Sequence, residues 1–345
     1  MKKRCLAESG IYACDFETTV YVGQERTDVW AAACVSLHSE EVRIFGNITD
    51  FFQYFVNMRK TVRLYFHNLK FDGNFILDAL MHQWGYRPAF LRLPSGEVME
   101  IPDKDMIPKT YKYSISTMGQ WYKIIIRTNK YKTIEIYDSL KLLPFSLKVL
   151  GKNFGTKHQK LEMEYKGFRF PDCPRSPEED EYISNDVLVL KEALEIMFSQ
   201  GHNSLTIGSE CLKTYKAMTD DGFGLWDSYF PNLYDVQGIE GLSAGEWVRK
   251  SYKGGWCYLR KGCSGVTVYN GTTADVNSLY PSMMHSMSGN YYPVGNPHFW
   301  EGDYIPEDAL IDNRYYFLHV CTGFELKNGK MPCIQIKNSA RYKST

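Results

Sequence analysis

The chain has 345 residues, which is more than one hydrophobic core usually supports, so two domains are expected. Hydrophobic residues make up 44% of it and charged residues 23%, which is the composition of a folded globular protein. Forty basic and 40 acidic residues give a formal net charge of zero, which excludes a histone-like coat of positive charge but permits local basic patches.

The nine cysteines are scattered along the chain without a CxxC pair. An odd number at irregular spacing favours reduced thiols over a disulfide framework or a zinc site, and we interpret Cys257 and Cys263 as core thiols. Reduced thiols indicate a cytosolic protein. No apolar run is long enough to span a bilayer, so neither secretion nor membrane insertion is expected.

Strands and a helix are predicted for the first part of the chain. "IYACDFETT" (11–19) is rich in residues that favour strands, and "VRLYFHN" (62–68) is typical of a buried strand that ends at a polar turn. "KFDGNFILDALMHQW" (70–84) then places apolar residues at helical spacing. The pattern predicts strand, strand, helix.

Residues 107–134 contain no acidic residue, and lysines and an arginine alternate there with tyrosines and a tryptophan. Turns near "MGQ" and "TNK" predict a β-meander. The sequence leaves open whether this meander contacts a nucleic-acid strand or is a solvated hairpin.

"SPEEDEYISNDVLVLKEALEIMFSQG" (176–201) carries the clearest helix signal in the chain. Ser176 is a helix cap, Pro177 suits the first helical position, Glu179 completes a capping box, and Gly201 follows the last apolar residues. Residues 202–210 indicate a boundary. Beyond it, "SYKGGWCYLRKGCSG" (251–265) is glycine-rich and aromatic.

Three short stretches contain carboxylates whose spacing suggests a metal site. Asp15 and Glu17 point to the same face if residues 11–19 form a strand, so both reach one pair of cations. An acidic pair on a solvent face is the common alternative. Asp72 lies after the second predicted strand, where it either binds metal or caps the helix.

The third stretch, "YISND", places Tyr182 and Asp186 four residues apart and hence on one helix face. Their neighbours Ile183, Val187 and Leu190 are typical core residues. An aspartate on or near an apolar helix face is unfavourable unless it is paired or binds metal.

These three stretches resemble the Exo I (DxE), Exo II (NxxFD) and Exo III (YxxxD) motifs of the DEDD-type 3′–5′ exonucleases that proofread for family B DNA polymerases. "DVNSLYP" (275–281) resembles polymerase motif A, with Asp275 at the end of a predicted strand. "CDFETT", "YFHNLKFDG", "MGQWY", "YDSLK" with "LPF", "YKGG" and "IQIK" extend the resemblance to the protein-primed DNA polymerases of small Bacillus podoviruses. It runs from about Tyr12 to Tyr342.

The resemblance implies roles for individual residues. The matches to the exonuclease metal ligands are Asp15, Glu17, Asp72 and Asp186. Tyr182 matches the tyrosine that orients the attacking water, and Lys160 matches a lysine that assists the exonuclease step. The matches to positions near a single-stranded 3′ end are Thr18, His67, Asn68, Phe71, Ser139 and Leu140.

Further matches belong to the polymerase. The motif that joins the domains and touches the template is matched by Tyr252, Gly254 and Gly255. Asp275 matches a polymerase metal ligand. Ser278, Leu279 and Tyr280 match nucleotide-binding residues, and the ring of Tyr280 is expected to stack on the incoming sugar and exclude a 2′-hydroxyl.

The implied fold is α/β: a ribonuclease H-like DEDD exonuclease domain (1–206) and an incomplete α+β polymerase palm. The palm portion is expected at 207–286, with the start of the insertion after motif A at 287–345. The two later polymerase motifs do not occur between Pro281 and Thr345. We therefore expect an amino-terminal polymerase portion, from a truncated, interrupted or split gene product.

The expected cofactors are two Mg²⁺ or Mn²⁺ ions in the exonuclease site. The expected partners are single-stranded 3′ ends and primer-template DNA, dNTPs only together with the missing half, and a terminal protein primer. The expected location is the cytoplasm of an infected bacterial host cell. A non-catalytic module that holds DNA or a priming protein is the alternative, although such a module needs none of the four carboxylates.

We expect that this chain alone does not extend a primer, although it carries Asp275 and Tyr280. Motif A supplies one metal ligand and a sugar-stacking ring, but no second aspartate cluster follows, so the two-ion geometry stays incomplete. An extension assay with the purified chain, metal and all four dNTPs measures this. Templated extension without a second polypeptide would contradict the prediction.

Overall fold

The computed structural model describes residues 10–18, 21–163, 167–219, 222–252, 255, 257, 259–260 and 262–310. The chain divides into two units, Met1–Tyr215 and Lys216–Thr345. The strands of the first unit are β1 Ile11–Thr18, β2 Val29–Ser36, β3 Arg43–Phe45, β4 Val62–Phe66, β5 Arg87–Pro88, β6 Phe90–Arg92, β7 Val98–Glu100, β8 Thr110–Ile115, β9 Trp121–Asn129 and β10 Lys132–Asp138. Its helices are α1 Ile48–Asn57, α2 Leu69–His82, α3 Leu147–Phe154 and α4 Pro177–Ser199, and the boundary between the units falls within α5 Ile207–Thr219.

Eight of these strands form one mixed sheet in the order β3-β2-β1-β4-β10-β9-β8-β5. The central strands β1, β4 and β10 run parallel to one another, so their carboxyl ends meet at one edge. Strand β2 is antiparallel to β1, and strand β9 is antiparallel to β10. Polar residues that follow β1, β4 and β10 therefore collect at that edge, the usual location of sites in open α/β sheets.

Hydrophobic cores lie on both faces of the sheet and are separated by the alternation of side chains along each strand. In β1, Cys14 and Phe16 enter the core that contains α1 and α2 residues. Ile11 and Ala13 enter the opposite core, which contains α4 residues. Asp15 and Glu17 continue that second series, so they are predicted by register to face α4.

Helix α4 begins as its sequence predicts. The Ser176 side chain accepts a hydrogen bond from the Glu179 N–H, the Glu179 side chain accepts one from the Ser176 N–H, and Pro177 is the first residue of the helix. Its buried residues include Ile183, Val187 and Leu190. This fixed start sets which α4 side chains face the sheet.

The predicted meander is confirmed as β8, β9 and β10. Two of its lysines serve the fold itself. Lys132 is buried and donates hydrogen bonds to the carbonyl oxygens of Phe55, Val56 and Met58, with 2.8 Å between its Nζ and the Val56 oxygen. These bonds satisfy carbonyl groups at the carboxyl end of α1. Lys112 is buried beside Glu100 and Asp103 at 2.6 and 2.5 Å. Neither lysine is available as a free cation for a nucleic acid.

The second unit contains α6 Leu225–Tyr229, α7 Ala244–Ser251 and α8 Leu279–Met284, with short 3₁₀ turns at Ser286–Ser288 and Glu307–Leu310. The strand predicted to end at Asp275 is wrong for the described chain: residues 267–277 are exposed and form no strand. A strand needs a hydrogen-bonded neighbour, and none is described beside this segment. Residues 311–345, including "IQIK" and Tyr342, lie outside the described residues.

The prediction that Cys257 and Cys263 are core thiols is also wrong, because Cys257 is exposed and Cys263 is half-buried. Both are free, as are Cys14, Cys34, Cys173 and Cys211. The described cysteines therefore agree with the expectation of reduced thiols. Within the described ranges, no helix combines the length and apolarity needed to cross a membrane.

Glu210 joins the connection after α4 to helix α5. Its carboxylate accepts a 2.9 Å hydrogen bond from the Ser204 N–H and lies 3.3 Å from His202 Nδ1 and 3.0 Å from Lys213 Nζ. Burial by itself raises the pKa of Glu210, but these hydrogen bonds outweigh burial and lower the pKa to about 2. The ionised carboxylate holds the connection against α5.

Glu210→Gln is expected to reduce the free energy of unfolding at neutral pH by about 1.5–3 kcal/mol, as for hydrogen bonds to a charged group. Because the folded-state pKa is depressed to about 2, this contribution is fully present above the ordinary Glu pKa of about 4.3 and is lost progressively as pH falls from there through about 2. Urea denaturation of wild type and variant at successive pH values measures the difference. The exposed Glu25→Gln is the control, and a difference that stays constant into acid contradicts the prediction.

Candidate active site

Three carboxylates converge at the carboxyl end of β1. Asp15 and Glu17 come from the strand and Asp186 from α4, and their ligand oxygens lie within 4.8 Å of one another. Asp15 and Glu17 are half-buried, whereas Asp186 is buried. The alternation of β1 and the face of α4 thus bring together residues about 170 positions apart in the chain.

Asp72 reaches the same place from the first turn of α2 and is 2% exposed. It does not cap the helix, because the N-cap position belongs to Asn68. Gly73 permits this placement, since a Cβ there would lie 2.7 Å from Cζ3 of Trp121. The glycine after Asp72 lets α2 approach β9 closely enough to direct the carboxylate towards β1.

The acidic residues perturb one another. Burial, reinforced by the charges of Asp72, Glu17 and Asp186, raises the pKa of Asp15 well above its usual range. Burial likewise raises the pKa of Asp72, against backbone hydrogen bonds at Asp72 itself and Phe16 that lower it. Among the described residues, the surroundings of Asp15 and Asp72 therefore favour their protonated forms, and a bound cation would reverse these shifts.

The donor set fits divalent metal ions. Oδ1 of Asp72 and Oδ1 of Asp186 are buried and have no hydrogen-bond partner among the described residues. Such buried acceptors are unfavourable unless something binds them. Carboxylate oxygens are the ligands that Mg²⁺ and Mn²⁺ prefer, so these residues match the expected ions.

Lys160 supplies the one cation in direct contact with this cluster in the described chain. Its Nζ contacts Oδ2 of Asp186, lies 3.4 Å from the Tyr182 hydroxyl and sits 5.1 Å from the centre of that ring. Burial lowers the pKa of Lys160, but the hydrogen bond and charge of Asp186 outweigh it, so the pKa is raised overall. Lys160 stays charged and holds Tyr182 and Asp186 together.

The residues expected near a 3′ end line the same edge. Asn68 is exposed in the left-handed conformation (φ 76°), and its N–H donates to Oδ1 of Asp138 at 3.1 Å. Phe71 is 48% exposed and packs edge-on against Phe75 at 5.7 Å between ring centres. Thr18, at the end of β1, is buried. An exposed aromatic ring thus stands within one helical turn of the buried Asp72.

His67 and Ser139 support this edge of the sheet through hydrogen bonds to each other and to nearby backbone carbonyl groups. The ring nitrogens Nδ1 and Nε2 of His67 lie 3.0 Å from Ser139 Oγ and 2.7 Å from the Phe145 carbonyl oxygen. Ser139 is fully buried, and its hydroxyl lies 2.8 Å from the carbonyl oxygen of Phe66. Burial lowers the pKa of His67. These contacts favour a positioning role for both residues.

Sequence reasoning missed Asp138. This buried aspartate accepts hydrogen bonds from the N–H groups of Asn68 at 3.1 Å and Leu140 at 3.0 Å. It therefore fixes two of the residues expected at the 3′ end. Its position directly before Ser139 in "YDSLK", at the end of a strand parallel to β1, was the available signal.

The expected polymerase residues belong to the second unit. Asp275 and Tyr252 are exposed, and Gly255 has no neighbouring atom where a Cβ would stand. Ser278 has a positive φ of 50° and starts α8, which contains Leu279 and Tyr280. Tyr280 is 75% exposed. Gly254 lies outside the described residues.

The model of the family "DNA polymerase type B, organellar and viral" matches residues 55–172 and 176–345. The chain is 37% identical over 339 residues to the DNA polymerase of Bacillus phage phi29, which covers 96% of this chain and 53% of that protein. It is 26% identical over 347 residues to the DNA polymerase of Streptococcus phage Cp-1, covering 94% and 53%. The chain spans about half the length of these curated relatives.

Solved structures of the phi29 DNA polymerase share the mixed α/β fold. Its orthorhombic crystal form superposes with a TM-score of 0.71 at 32% identity, over 97% of this chain and 53% of that chain. The same enzyme complexed with single-stranded DNA gives 0.66 at 32% identity, over 86% and 48%. The similarity extends over both units.

Proposed function

Because the chain belongs to the organellar and viral family of type B DNA polymerases, we propose that its first unit is a metal-dependent 3′–5′ exonuclease that proofreads for a polymerase. The domain is of the ribonuclease H-like DEDD type and spans residues 1–206. The observation that carries the proposal is the convergence of Asp15, Glu17 and Asp186 within 4.8 Å, with Asp72 buried beside them.

The four carboxylates would hold two Mg²⁺ or Mn²⁺ ions. When bound, such ions activate a water molecule and stabilise the leaving 3′ oxygen of an in-line displacement. The protein's part is to keep four acidic side chains at one place against their mutual repulsion. The buried oxygens of Asp72 and Asp186 that lack hydrogen-bond partners support this assignment.

Lys160 and Tyr182 complete the catalytic group. Lys160 neutralises part of the charge on Asp186, and its contact with the Tyr182 hydroxyl sets the direction of that group. Tyr182 is half-buried, so its hydroxyl is oriented by the protein and still reaches the cluster. We propose that this hydroxyl orients the attacking water.

The substrate is an unpaired 3′ end of DNA. A terminal base has to leave the duplex stack before its phosphate reaches the buried carboxylates, and the exposed Phe71 ring replaces the stacking that is lost. Asn68, fixed by Asp138, stands beside it with Leu140, while His67, Ser139 and Thr18 support the edge. A mismatched terminus frays most easily, so selectivity needs no reading of base identity.

Residues 207–286 are proposed to be part of a polymerase palm, and residues 287–345 the start of the insertion after motif A. Asp275 is its metal ligand, and Ser278, Leu279 and Tyr280 contact the nucleotide. Tyr252, Gly254 and Gly255 touch the template. Use of dNTPs and of a terminal protein primer would require the remaining polymerase motifs, and the site of action is the host cytoplasm.

Asp15→Ala combined with Glu17→Ala is expected to reduce metal-dependent release of nucleotides from single-stranded 3′ ends to background, because the ions lose two ligands. The same variant should lose the stabilisation that Mn²⁺ gives the wild type, which is about 2.7 kcal/mol of unfolding free energy at 100 times Kd and is seen as a rise in melting temperature. In the absence of metal its stability should be maintained or increased, since two mutually repelling carboxylates are gone.

The control for this variant removes two exposed carboxylates from another part of the unit, Glu97→Ala with Asp105→Ala. It should retain both nuclease activity and the metal-dependent stabilisation. Undiminished release of nucleotides by the Asp15→Ala, Glu17→Ala protein would contradict the assignment of these residues to the metal site. Metal-dependent stabilisation without any nuclease activity in the wild type would favour the non-catalytic binding module.

Phe71→Ala is expected to weaken binding of a single-stranded oligonucleotide by about 1–3 kcal/mol, the value of one base stacked on an aromatic ring. Phe71→Tyr keeps the ring and should keep the affinity. Titration in the presence of a chelator prevents cleavage during the measurement. Equal affinities of wild type and Phe71→Ala would show that the ring does not stack on the substrate.

A further inference from the structure

Lys160 reaches the active site from a segment that has neither helix nor strand. Helix α3 ends at Phe154, Gly155 with a φ of 62° caps it, and residues 156–160 follow as irregular backbone. A lysine side chain has many rotamers, so the position of its ammonium depends on how firmly its backbone is held. What holds this segment therefore determines where Lys160 lies.

One end of the segment is tied to α3. The Thr156 N–H donates to the Gly151 carbonyl oxygen at 3.1 Å. The Gln159 amide donates to the carbonyl oxygens of Gly151 and Thr156 at 3.1 and 2.8 Å. A Cβ on Gly151 would lie 2.9 Å from Gln159 Oε1, so the absence of a side chain there admits this contact.

The middle of the segment is tied to α4 by one carboxylate. Oε2 of Glu192 accepts from the His158 backbone N–H at 3.2 Å, and Oε1 lies 2.5 Å from His158 Nδ1. The Glu192 side chain is 13% exposed and that of His158 is 23% exposed. Both oxygens of one shielded carboxylate thus hold the backbone and the ring of the same residue.

The two hydrogen bonds that Glu192 accepts from His158 are called the clamp here, and Glu192 lies on the same helix as the catalytic residues Asp186 and Tyr182. Asp186 and Tyr182 precede Glu192 on α4, and six residues of helix separate Asp186 from Glu192 by about 9 Å along the axis. Lys160 follows His158 by two residues and contacts Asp186 and Tyr182. The segment is therefore attached to α4 at two points, one of which is the catalytic contact.

We propose that Glu192 is a positioning residue of the exonuclease reaction, which acts through His158 to place the Lys160 ammonium between Asp186 and Tyr182. This inference rests on the function proposed above. Without the clamp, residues 156–160 keep their attachment to α3, but among the contacts described only those of the Lys160 ammonium itself still join the segment to α4, so its backbone no longer fixes where that ammonium lies.

The surroundings favour a clamp over a second metal centre. Glu40 joins His158 and Glu192 in a group whose ligand atoms lie within 4.8 Å. However, the buried Lys191 ammonium is 2.9 Å from Glu40 and 3.0 Å from Glu195. Since a cation already pairs with Glu40, the remaining contacts of the group are the two hydrogen bonds that Glu192 accepts from His158.

The kinetic test compares Glu192→Ala with Glu195→Ala, a carboxylate three residues further along the same helix that pairs only with Lys191 in the contacts described. Glu192→Ala should lower kcat for nucleotide release about 10- to 100-fold, as loss of an outer partner of a catalytic group does, with little change in KM. Glu195→Ala should leave kcat unchanged. In a Lys160→Ala background, Glu192→Ala should have no further effect.

A second readout does not depend on nuclease activity. Labelling of lysine side chains with an amine-selective acylating reagent, followed by peptide mass spectrometry, reports how accessible the Lys160 amine is. Lys160 should be labelled several times faster in Glu192→Ala than in wild type or Glu195→Ala, with the other lysines of α3 and α4 unchanged. If Glu192→Ala does not fold, His158→Ala replaces it, because it removes only the ring contact.

The outcomes separate the two proposals. Unchanged labelling of Lys160 in Glu192→Ala, or rate losses of Glu192→Ala and Lys160→Ala that multiply in the double variant, would overturn the positioning role. Faster labelling together with an inactive wild type would retain the clamp and reject the exonuclease function. Faster labelling with a non-additive loss of kcat supports both.

Discussion

The mutual repulsion of four carboxylates at the end of β1 is the constraint on which the rest of the first unit depends. Asp15 and Asp72 both have pKa values well above the usual range because their carboxylates are shielded from solvent among like charges. An arrangement of this kind persists only when packing elsewhere prevents the side chains from separating. The two hydrophobic cores on opposite faces of the sheet provide that packing.

Three structural elements, a strand and two helices, hold the four carboxylates. Asp15 and Glu17 are fixed by the pairing of β1 with β2 and β4, Asp72 by the close contact of Gly73 with Trp121, and Asp186 by the capped start of α4. Lys160 is the exception, because it lies on irregular backbone. The two contacts from Glu192 to His158 give that backbone the rigidity that a helix or strand gives the others.

The two units differ in how far they bury their apolar residues. The first buries apolar residues on both sides of an eight-stranded sheet. In the second, the segment around Asp275 is exposed and forms no strand among the described residues, and Tyr269, Val276 and Tyr280 are largely exposed. The chain spans about half the length of its curated relatives.

The sequence by itself determined the features that depend on neighbouring residues: the capping box of α4, the alternation that puts Asp15 and Glu17 on one face, the start of α2, and the motifs that carry the family resemblance. Only the tertiary structure decided what joins distant segments. The contact of Lys160 with Asp186, the support of Asn68 by Asp138 and the clamp of Glu192 on His158 link residues 26 to 70 positions apart. The prediction of a strand before Asp275 was wrong for the same physical reason. The apolar and β-branched residues there favour an extended backbone, but a strand forms only where another segment supplies its hydrogen bonds.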